Sequence, residues 1–192
     1  MGSEIGENHP FKPSPAEIRQ AAGKTVADVI APDLRVLFVG INPGLYTAAI
    51  GHHFGRPGNR FWPVLYRAGF THRLLSPFEE RELLQDGYGI TNLVRRATAT
   101  ADELSPDELR AGAQELESKV QAYRPRFLAV LGVGAYRSAF QRPKTVVGRQ
   151  AGRMGEAVVW VLPNPSGLNA HYQLDDLADL FRQLRLAAQE TD

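Results

Sequence analysis

RVLFVGINPG, residues 35–44, decides the fold, because an apolar run ends there in a turn of glycine, asparagine and proline. A continuous rather than alternating apolar run indicates a strand that is buried on both faces, which is typical of a parallel sheet. Two further runs share this character, FLAVL at residues 127–131 and AVVWVL at residues 157–162. Segments with helical spacing separate the runs. The sequence therefore predicts an α/β fold, a three-layer α/β/α sandwich around a central, mainly parallel sheet.

Capping signals mark the helices that flank this sheet. Ser76 and Ser105 each precede a proline and stand three residues before a glutamate, which predicts helices over residues 77–85 and 106–123. Ser14, with the same signals, predicts a helix over residues 14–30. Further helices are predicted over residues 60–68, 135–140 and 174–188, with Asn59 as a cap. Residues 40–58 are predicted to form an irregular and functional loop.

Composition limits the classes of function. The chain has 192 residues, the size of one domain, and we interpret residues 1–24 as a flexible N-terminal extension. The absence of cysteine excludes disulfides, thiol nucleophiles and cysteine-ligated metal centres. The five histidines lack metal-ligand spacing, so we expect no metal. No apolar run reaches membrane-spanning length and no secretory signal is evident, which predicts a cytoplasmic protein.

Charge is segregated along the chain although the net charge is +1. Residues 79–117 hold ten acids and four bases, whereas residues 137–153 hold five bases and no acid. A basic segment is usually a solvated face, but beside strand ends it can follow nucleic-acid phosphates. Both interpretations stay open at this stage.

Two similar turns follow buried strands, GINPG at residues 40–44 and PNPSGL at residues 163–168. Each places an asparagine at the carboxyl end of a strand, which is the edge where ligands bind in parallel sheets. An amide side chain does not titrate, but its oxygen can accept a hydrogen bond from a water and so orient that water. Such a site suits a reaction with a good leaving group, in which positioning and electrostatic stabilisation lower the barrier.

These motifs resemble those of the mismatch-specific uracil/thymine DNA glycosylases, family 2 of the uracil-DNA glycosylase superfamily. The resemblance spans about residues 25–185 and includes FGRPGNRFW (54–62), GITNLVRRAT (89–98) and VWVLPNPSGLN (159–169). Related families carry an acid in the first motif and usually a histidine in the second. The resemblance implies a uracil-DNA glycosylase-like fold, with residues 25–192 as the glycosylase domain.

The activity that the resemblance implies is monofunctional removal of uracil, and of related damaged pyrimidines, from G·U mismatches. The enzyme would flip the nucleotide out of double-stranded DNA and hydrolyse the N-glycosidic bond, leaving an abasic site for base excision repair. No cofactor and no lyase step are implied. The implied form is a monomer in the cytoplasm that associates with the nucleoid when bound to DNA.

The resemblance also implies roles for individual residues. Asn42 would position the attacking water, and Phe54 would stack on the flipped base. Four residues would contact the substrate or adjoin it: Ile41 and Phe54 at the uracil edge, Thr47 near its 5-position, and Asn164 at the sugar-phosphate. Thr47 is larger than the residues typical of the family at this position, which reduces the room for the methyl group of thymine.

DNA contacts are implied for two groups of residues. In the second motif, Leu168 would fill the gap left by the flipped base, while Gly167 and Asn169 would contact the widowed guanine through backbone groups. Phosphate contacts are expected from four basic residues: Arg60, Lys144, Arg149 and Arg153. Asn92 stands where relatives vary in charge, and we assign it no role.

Two other functions fit parts of the sequence. Gly132 and Gly134 open a predicted helix after a strand, as in a dinucleotide-binding turn, but Arg137 replaces the third glycine. The second is a non-enzymatic function, in which the protein binds mismatched DNA without removing a base. This alternative is open because a site built on asparagine alone has no strong base.

Overall fold

A five-stranded sheet forms the centre of the computed structural model, which describes residues 11–190. Its strands are β1 (Val36–Gly40), β2 (Tyr88–Asn92), β3 (Phe127–Leu131), β4 (Gly148–Met154) and β5 (Ala157–Leu162). Their order is β2-β1-β3-β5-β4; β4 pairs antiparallel with β5, and the other pairs are parallel. The predicted mainly parallel α/β sheet is confirmed.

Helices cover both faces of the sheet. They are α1 (Pro15–Gln20), α2 (Leu45–Ile50), α3 (Phe61–Ala68), α4 (Pro106–Tyr123), α5 (Val133–Ala139) and α6 (Leu174–Gln189). Two 3₁₀ helices, Pro77–Asp86 and Ala101–Glu103, complete the set within residues 11–190. None of these helices has the length and apolar character needed to cross a membrane.

Alternate residues of β1 face two separate cores. Phe38 packs edge-on against Phe61 of α3 and stacks with Phe181 of α6, at ring-centroid distances of 5.5 and 6.1 Å. Leu37 and Val39 face the opposite core, beneath α4 and α5. Because aromatic pairs of this kind add to the burial of apolar area, the three layers are firmly joined.

The first helix is shorter than the predicted span of residues 14–30. Helix α1 begins with the predicted Ser14 capping box but ends at Gln20. Gly23 has a positive φ, and its N–H donates to the Ala97 carbonyl. Val29 exchanges both backbone hydrogen bonds with Ile90, so the following segment is extended. Of the extension predicted over residues 1–24, residues 1–10 lie outside the described residues.

Strand β2 was missed because a glycine and two polar residues interrupt its apolar pattern. A Cβ at Gly89 would lie 2.6 Å from the carbonyl oxygen of Val29, so the close approach of that segment requires glycine. Thr91 is buried and donates from its hydroxyl to Asp28. A buried strand can thus contain polar residues when their side chains are hydrogen-bonded, and rules based on apolar periodicity do not detect such a strand.

Two further elements correct the sequence prediction. Residues 148–154, interpreted as part of a basic stretch, form the edge strand β4, whose charged residues alternate outward. The loop predicted over residues 40–58 contains helix α2, which is bounded by Gly44 and Gly51. The helix predicted over residues 77–85 is present as a 3₁₀ helix and has its capping box.

Candidate active site

A cavity of about 320 Å³ opens at the carboxyl edge of the parallel strands. Both asparagine–proline turns reach it, since Asn42 follows β1 and Asn164 follows β5. Gly40 at the end of β1 and Asn92 at the end of β2 form other parts of the wall. The cavity therefore lies where the strand pattern places a ligand site.

The amide of Asn42 is held by its nitrogen. Nδ2 donates to the carbonyl oxygen of Arg96 at 3.0 Å and to Oγ1 of Thr98 at 2.7 Å. Thr98 donates its own proton to the carbonyl of Thr100 at 2.7 Å, so its oxygen can only accept from Asn42. Both amide hydrogens of Asn42 are therefore engaged within the protein. The amide oxygen, Oδ1, remains available to a ligand in the cavity.

Asn164 is held in the opposite sense. Its Oδ1 accepts from the backbone N–H of Ser166 at 3.0 Å, and its carbonyl accepts from Nδ2 of Asn169 at 3.1 Å. The amide nitrogen of Asn164 is therefore the end available to a ligand. The two turns supply an acceptor and a donor to one cavity, although their sequences are alike.

Phe54 stands on the wall of this cavity with a strained backbone. Its φ is +52°, which a bulky residue rarely adopts. Its ring stacks on Phe61 with centroids 4.0 Å apart and an interplanar angle of 21°. Strain of about 1–3 kcal/mol is typical of functional sites, where the surrounding structure holds it in place. The half-buried ring offers an aromatic surface to a planar ligand.

Thr47 and Ile41 also line the cavity, and one polar group of each has a partner within the protein. The Thr47 hydroxyl accepts from the N–H of Gly55 at 3.2 Å and so joins α2 to the loop that carries Phe54. The carbonyl of Ile41 accepts from the N–H of Val94 at 2.9 Å. The hydroxyl oxygen of Thr47 is therefore used to hold the loop that carries Phe54.

A buried histidine and an asparagine, to which the sequence analysis assigned no role, stand behind Phe54. His53 and Asn92 are 1% and 8% exposed, and both line the cavity. His53 is fixed by its ring Nε2 near the Ala27 carbonyl, by its N–H to Glu80 and by its carbonyl, which accepts from Trp62 Nε1. Burial lowers the pKa of His53, so the ring is neutral at neutral pH.

The loop after β5 is braced by Arg60, which was predicted to contact a DNA phosphate. Its guanidinium donates to the carbonyls of Tyr172, Ser166 and Asn169 at 2.5, 2.5 and 2.9 Å. Its backbone N–H donates to Pro165. Both terminal nitrogens of Arg60 thus hold this loop, while Nε is buried without a hydrogen-bond partner. Arg60 positions the loop, and its contact with a DNA phosphate stays a prediction.

The tip of the same loop carries the other residues predicted to contact DNA. Leu168 is 72% exposed beside the cavity. A Cβ at Gly167 would lie 2.5 Å from the carbonyl oxygen of Gly58, so two loops meet closely there. The backbone N–H of Asn169 donates to Ser166 and its carbonyl accepts from Arg60. Asn169 therefore stabilises the loop, and its backbone is already engaged.

The residues of the basic segment are dispersed along the sheet. Arg153 pairs with Val158 near the amino end of β5, away from the cavity, and donates to the Glu156 carbonyl. Arg137 donates to the Thr145 carbonyl. Arg149 lies opposite Trp160, toward the cavity end of the sheet, and Lys144 is exposed in the turn before β4. Arg153 thus lies nearer than Arg149 to the end of the sheet opposite the cavity, and its phosphate contact stays a prediction.

Arg56 is a basic residue at the site that the sequence analysis missed. It is exposed and lines both the main cavity and a smaller one of about 220 Å³ beside Leu168. A single arginine in a glycine- and proline-rich loop gives no distinctive signal. Its position between two cavities is visible only in the folded chain.

Candidate metal ligands do not cluster in the part of the chain that the structure describes. Within residues 11–190, no group of three or more His, Asp or Glu side chains could hold a metal ion. In the turn considered for a dinucleotide, Ile41 Cδ1 lies 2.9 Å from where a Cβ at Gly132 would be. A side chain at Gly132 would therefore meet Ile41, and the same turn borders a second cavity of about 620 Å³.

Comparison with known proteins gives two findings. A family model described as the uracil DNA glycosylase superfamily matches residues 27–185. A solution NMR structure of a Methanosarcina acetivorans protein, provisionally described as a uracil DNA glycosylase, is similar with a TM-score of 0.58 and 17% identity. The similarity covers 85% of this chain and 98% of that one. At this identity the structural match shows the fold alone.

Proposed function

Because the chain belongs to the uracil DNA glycosylase superfamily, we propose that it hydrolyses the glycosidic bond of uracil in G·U mismatches of duplex DNA. The observation that carries the proposal is the clamped amide of Asn42, which directs an acceptor oxygen into the cavity. The finer assignment, to the mismatch-specific family 2, rests on the two asparagine–proline turns at one cavity.

The reaction begins when the nucleotide leaves the base stack, because its glycosidic bond is inaccessible inside the duplex. The exposed side chain of Leu168 fills the gap, and the flipped base stacks on Phe54. Apolar wedges of this kind offset part of an unstacking cost of a few kcal/mol. The cavity then holds the base and its sugar between the two turns.

Asn42 Oδ1 accepts a hydrogen bond from a water and directs a lone pair of the water at C1′. The C1′–O bond forms as the C1′–N1 bond breaks, and the bond electrons leave with uracil as its anion. The Asn164 amide nitrogen donates toward the sugar-phosphate. Since an amide takes up no proton, the proton of the water passes to solvent, and positioning carries most of the catalysis.

The product is an abasic site and the free base. Among the described residues that line the cavity, none is lysine, so no amine is present to form a Schiff base with the sugar. This supports a monofunctional glycosylase. The wedge, the stacking ring and the water-binding amide all come from one chain, which supports a monomer acting on one lesion.

Preference for guanine on the opposite strand is assigned to the smaller cavity beside Leu168, which residues 56–59 and 166–168 line. Its walls are rich in backbone groups, which can pair with the edge of a widowed base. Discrimination against thymine is assigned to Thr47, which lines the cavity and whose hydroxyl oxygen accepts from the N–H of Gly55.

The test is base release from labelled oligonucleotides under single-turnover conditions, with G·U, A·U, G·T and single-stranded uracil compared. We expect G·U to be cleaved fastest and the Asn42→Ala variant to release no base while still binding the G·U duplex. Equal rates on G·U and A·U would refute the mismatch preference. Tight binding of G·U without release by the wild type would instead support the alternative, a protein that binds mismatches without cutting them.

A further inference from the structure

His53 contacts Asn92 through ring Nδ1, which lies 3.4 Å from Asn92 Nδ2. The other ring nitrogen, Nε2, lies 2.9 Å from the carbonyl oxygen of Ala27. A carbonyl only accepts, so Nε2 carries the proton of the neutral ring. Nδ1 therefore presents a lone pair to Asn92, and the amide nitrogen has to face it. The reversed amide would oppose two lone pairs in a buried site.

The orientation of the Asn92 amide then determines which hydrogen-bonding groups face the cavity. Asn92 is paired in register with Gly40 on the neighbouring strand. Its Oδ1 lies 2.4 Å from where a Cβ of Gly40 would be, and the ring edge of Phe54 lies 3.3 Å from the same point. The amide oxygen of Asn92 and the ring of Phe54 thus lie close together over Gly40. The second hydrogen of Asn92 Nδ2, which does not face His53, is available to a ligand beside them.

We propose that His53 is a positioning residue that sets which end of the Asn92 amide meets the base, and so makes the cavity complementary to uracil rather than cytosine. Uracil presents a donor at N3 and an acceptor at O4, which match an amide oxygen and an amide N–H. Cytosine presents the reverse pattern, an acceptor at N3 and an amine donor at C4. This inference rests on the proposed function.

The surroundings of His53 hold the ring in this state. Glu80 accepts from the backbone N–H of His53 at 2.7 Å, and its other oxygen pairs with Nδ1 of His52 at 3.0 Å. The carboxylate is therefore occupied by the backbone and by the neighbouring histidine. Neither of its contacts uses the ring of His53, which is left to bridge Ala27 and Asn92.

Two substitutions separate this role from simple packing. In His53→Gln the amide nitrogen can occupy the position of Nε2 and keep the bond to Ala27, but the acceptor at Nδ1 is lost. In His53→Asn the amide oxygen can occupy the position of Nδ1 and keep the acceptor for Asn92, but the bond to Ala27 is lost. The exposed His72→Gln is the matched control.

The experiment compares 5-fluorouracil with 5-fluorocytosine opposite guanine, since these bases share a 5-substituent and differ in the edge that the amide would read. Single-turnover release is measured alongside the Kd of matched duplexes whose 2′-fluoro sugars resist cleavage. We expect His53→Gln to reduce the preference for the uracil analogue by roughly 10-fold or more, the usual effect of an unpaired buried polar group. His53→Asn should keep the preference whatever its absolute rate.

Three results would overturn the inference. The first is an unchanged preference in His53→Gln, and the second is a larger loss in His53→Asn than in His53→Gln, the order that a packing role through Ala27 predicts. The third is an Nδ1–H tautomer of His53 in a long-range ¹H–¹⁵N spectrum of the full chain, where we expect Nε2–H. If no duplex released a base, the proposed function would fail, while the spectrum and the Kd ratios would still decide the role of His53.

Discussion

The side-chain nitrogen of Asn42 lies 2.7 Å from the hydroxyl oxygen of Thr98, although 56 residues separate them in the sequence. The contact works in one direction, since the Thr98 proton is committed to the Thr100 carbonyl. Thr98 therefore decides which end of the Asn42 amide faces the cavity. A residue that is not in either turn motif thus controls the orientation of the amide proposed to bind water.

Replacing Thr98 should slow base release without weakening DNA binding. In Thr98→Val the acceptor is lost and one amide hydrogen of Asn42 has no partner, so the amide can rotate. A hydrogen bond of about 1–1.5 kcal/mol corresponds to a loss of roughly 10-fold in the single-turnover rate on G·U. Thr98→Ser keeps the hydroxyl and should retain most of the rate. Equal rates for the two variants would show that the hydroxyl does not orient Asn42.

Leu168 should matter for base flipping and not for folding. Its side chain is 72% exposed, so Leu168→Ala removes little buried area and should leave the free energy of unfolding unchanged. Loss of the wedge should lower the single-turnover rate on G·U by roughly 10-fold or more, because unstacking costs a few kcal/mol. Leu74→Ala, at a leucine that is 54% exposed outside the site, is the control. A similar rate loss in the control would remove the case for a wedge.

Arg56 should contribute one phosphate contact. It is exposed and lines both cavities, beside which the proposed function places the strand that carries the flipped nucleotide. If it neutralises one phosphate, Arg56→Ala should reduce the slope of log K against log salt concentration by about 0.9. Arg153→Ala, near the opposite end of the sheet, should leave the slope unchanged. Titration of the binding constant from low to high salt measures both slopes, and identical slopes would exclude Arg56 from the interface.

The sequence was sufficient to predict three of the five strands and the edge of the sheet at which the cavity opens. Continuous apolar runs predict the buried strands. Because parallel strands end at the same edge of the sheet, the turns that follow them meet there. Strand β2 escaped detection because Gly89, Thr91 and Asn92 are explained only by what packs against them. The orientation of Asn42 was equally invisible, since it depends on partners 54 and 56 residues away.

Two arginines show why residue type alone does not identify a residue that contacts DNA. A guanidinium that binds phosphate and one that binds backbone carbonyls use the same donors. Arg60 stands in a motif that resembles a segment of a DNA glycosylase family, yet its two terminal nitrogens donate to three carbonyls of the loop after β5. Arg56, four residues earlier, carries no stronger sequence signal and lines the two cavities.

Arg60 should therefore affect stability and not the salt dependence of binding. Arg60→Lys cannot reach three carbonyls with one ammonium group, and the unpaired carbonyls should lower the free energy of unfolding by about 1–3 kcal/mol. The salt slope should stay at its wild-type value, in contrast to Arg56→Ala. Urea unfolding and the salt titration measure the two quantities. A reduced slope with unchanged stability would restore the phosphate contact predicted from the sequence.

Acid should weaken the support of Asn42 through the ion pair of Arg96 and Glu108. Arg96, whose carbonyl accepts from Asn42, donates from Nε to Glu108 at 2.5 Å. The Arg96 guanidinium, together with the backbone N–H of Ser105, lowers the pKa of Glu108 from its ordinary 4.5 to about 2. In the unfolded chain Glu108 takes up a proton near pH 4.5, whereas in the folded chain it stays ionised down to about pH 2.

The contribution of Glu108 to stability is therefore complete above pH 4.5 and is lost as pH falls toward 2. The free energy of unfolding, measured against pH for the wild type and Glu108→Gln, should differ most above pH 4.5 and converge below it. A difference that is independent of pH across this range would mean that the ionised pair does not stabilise the fold.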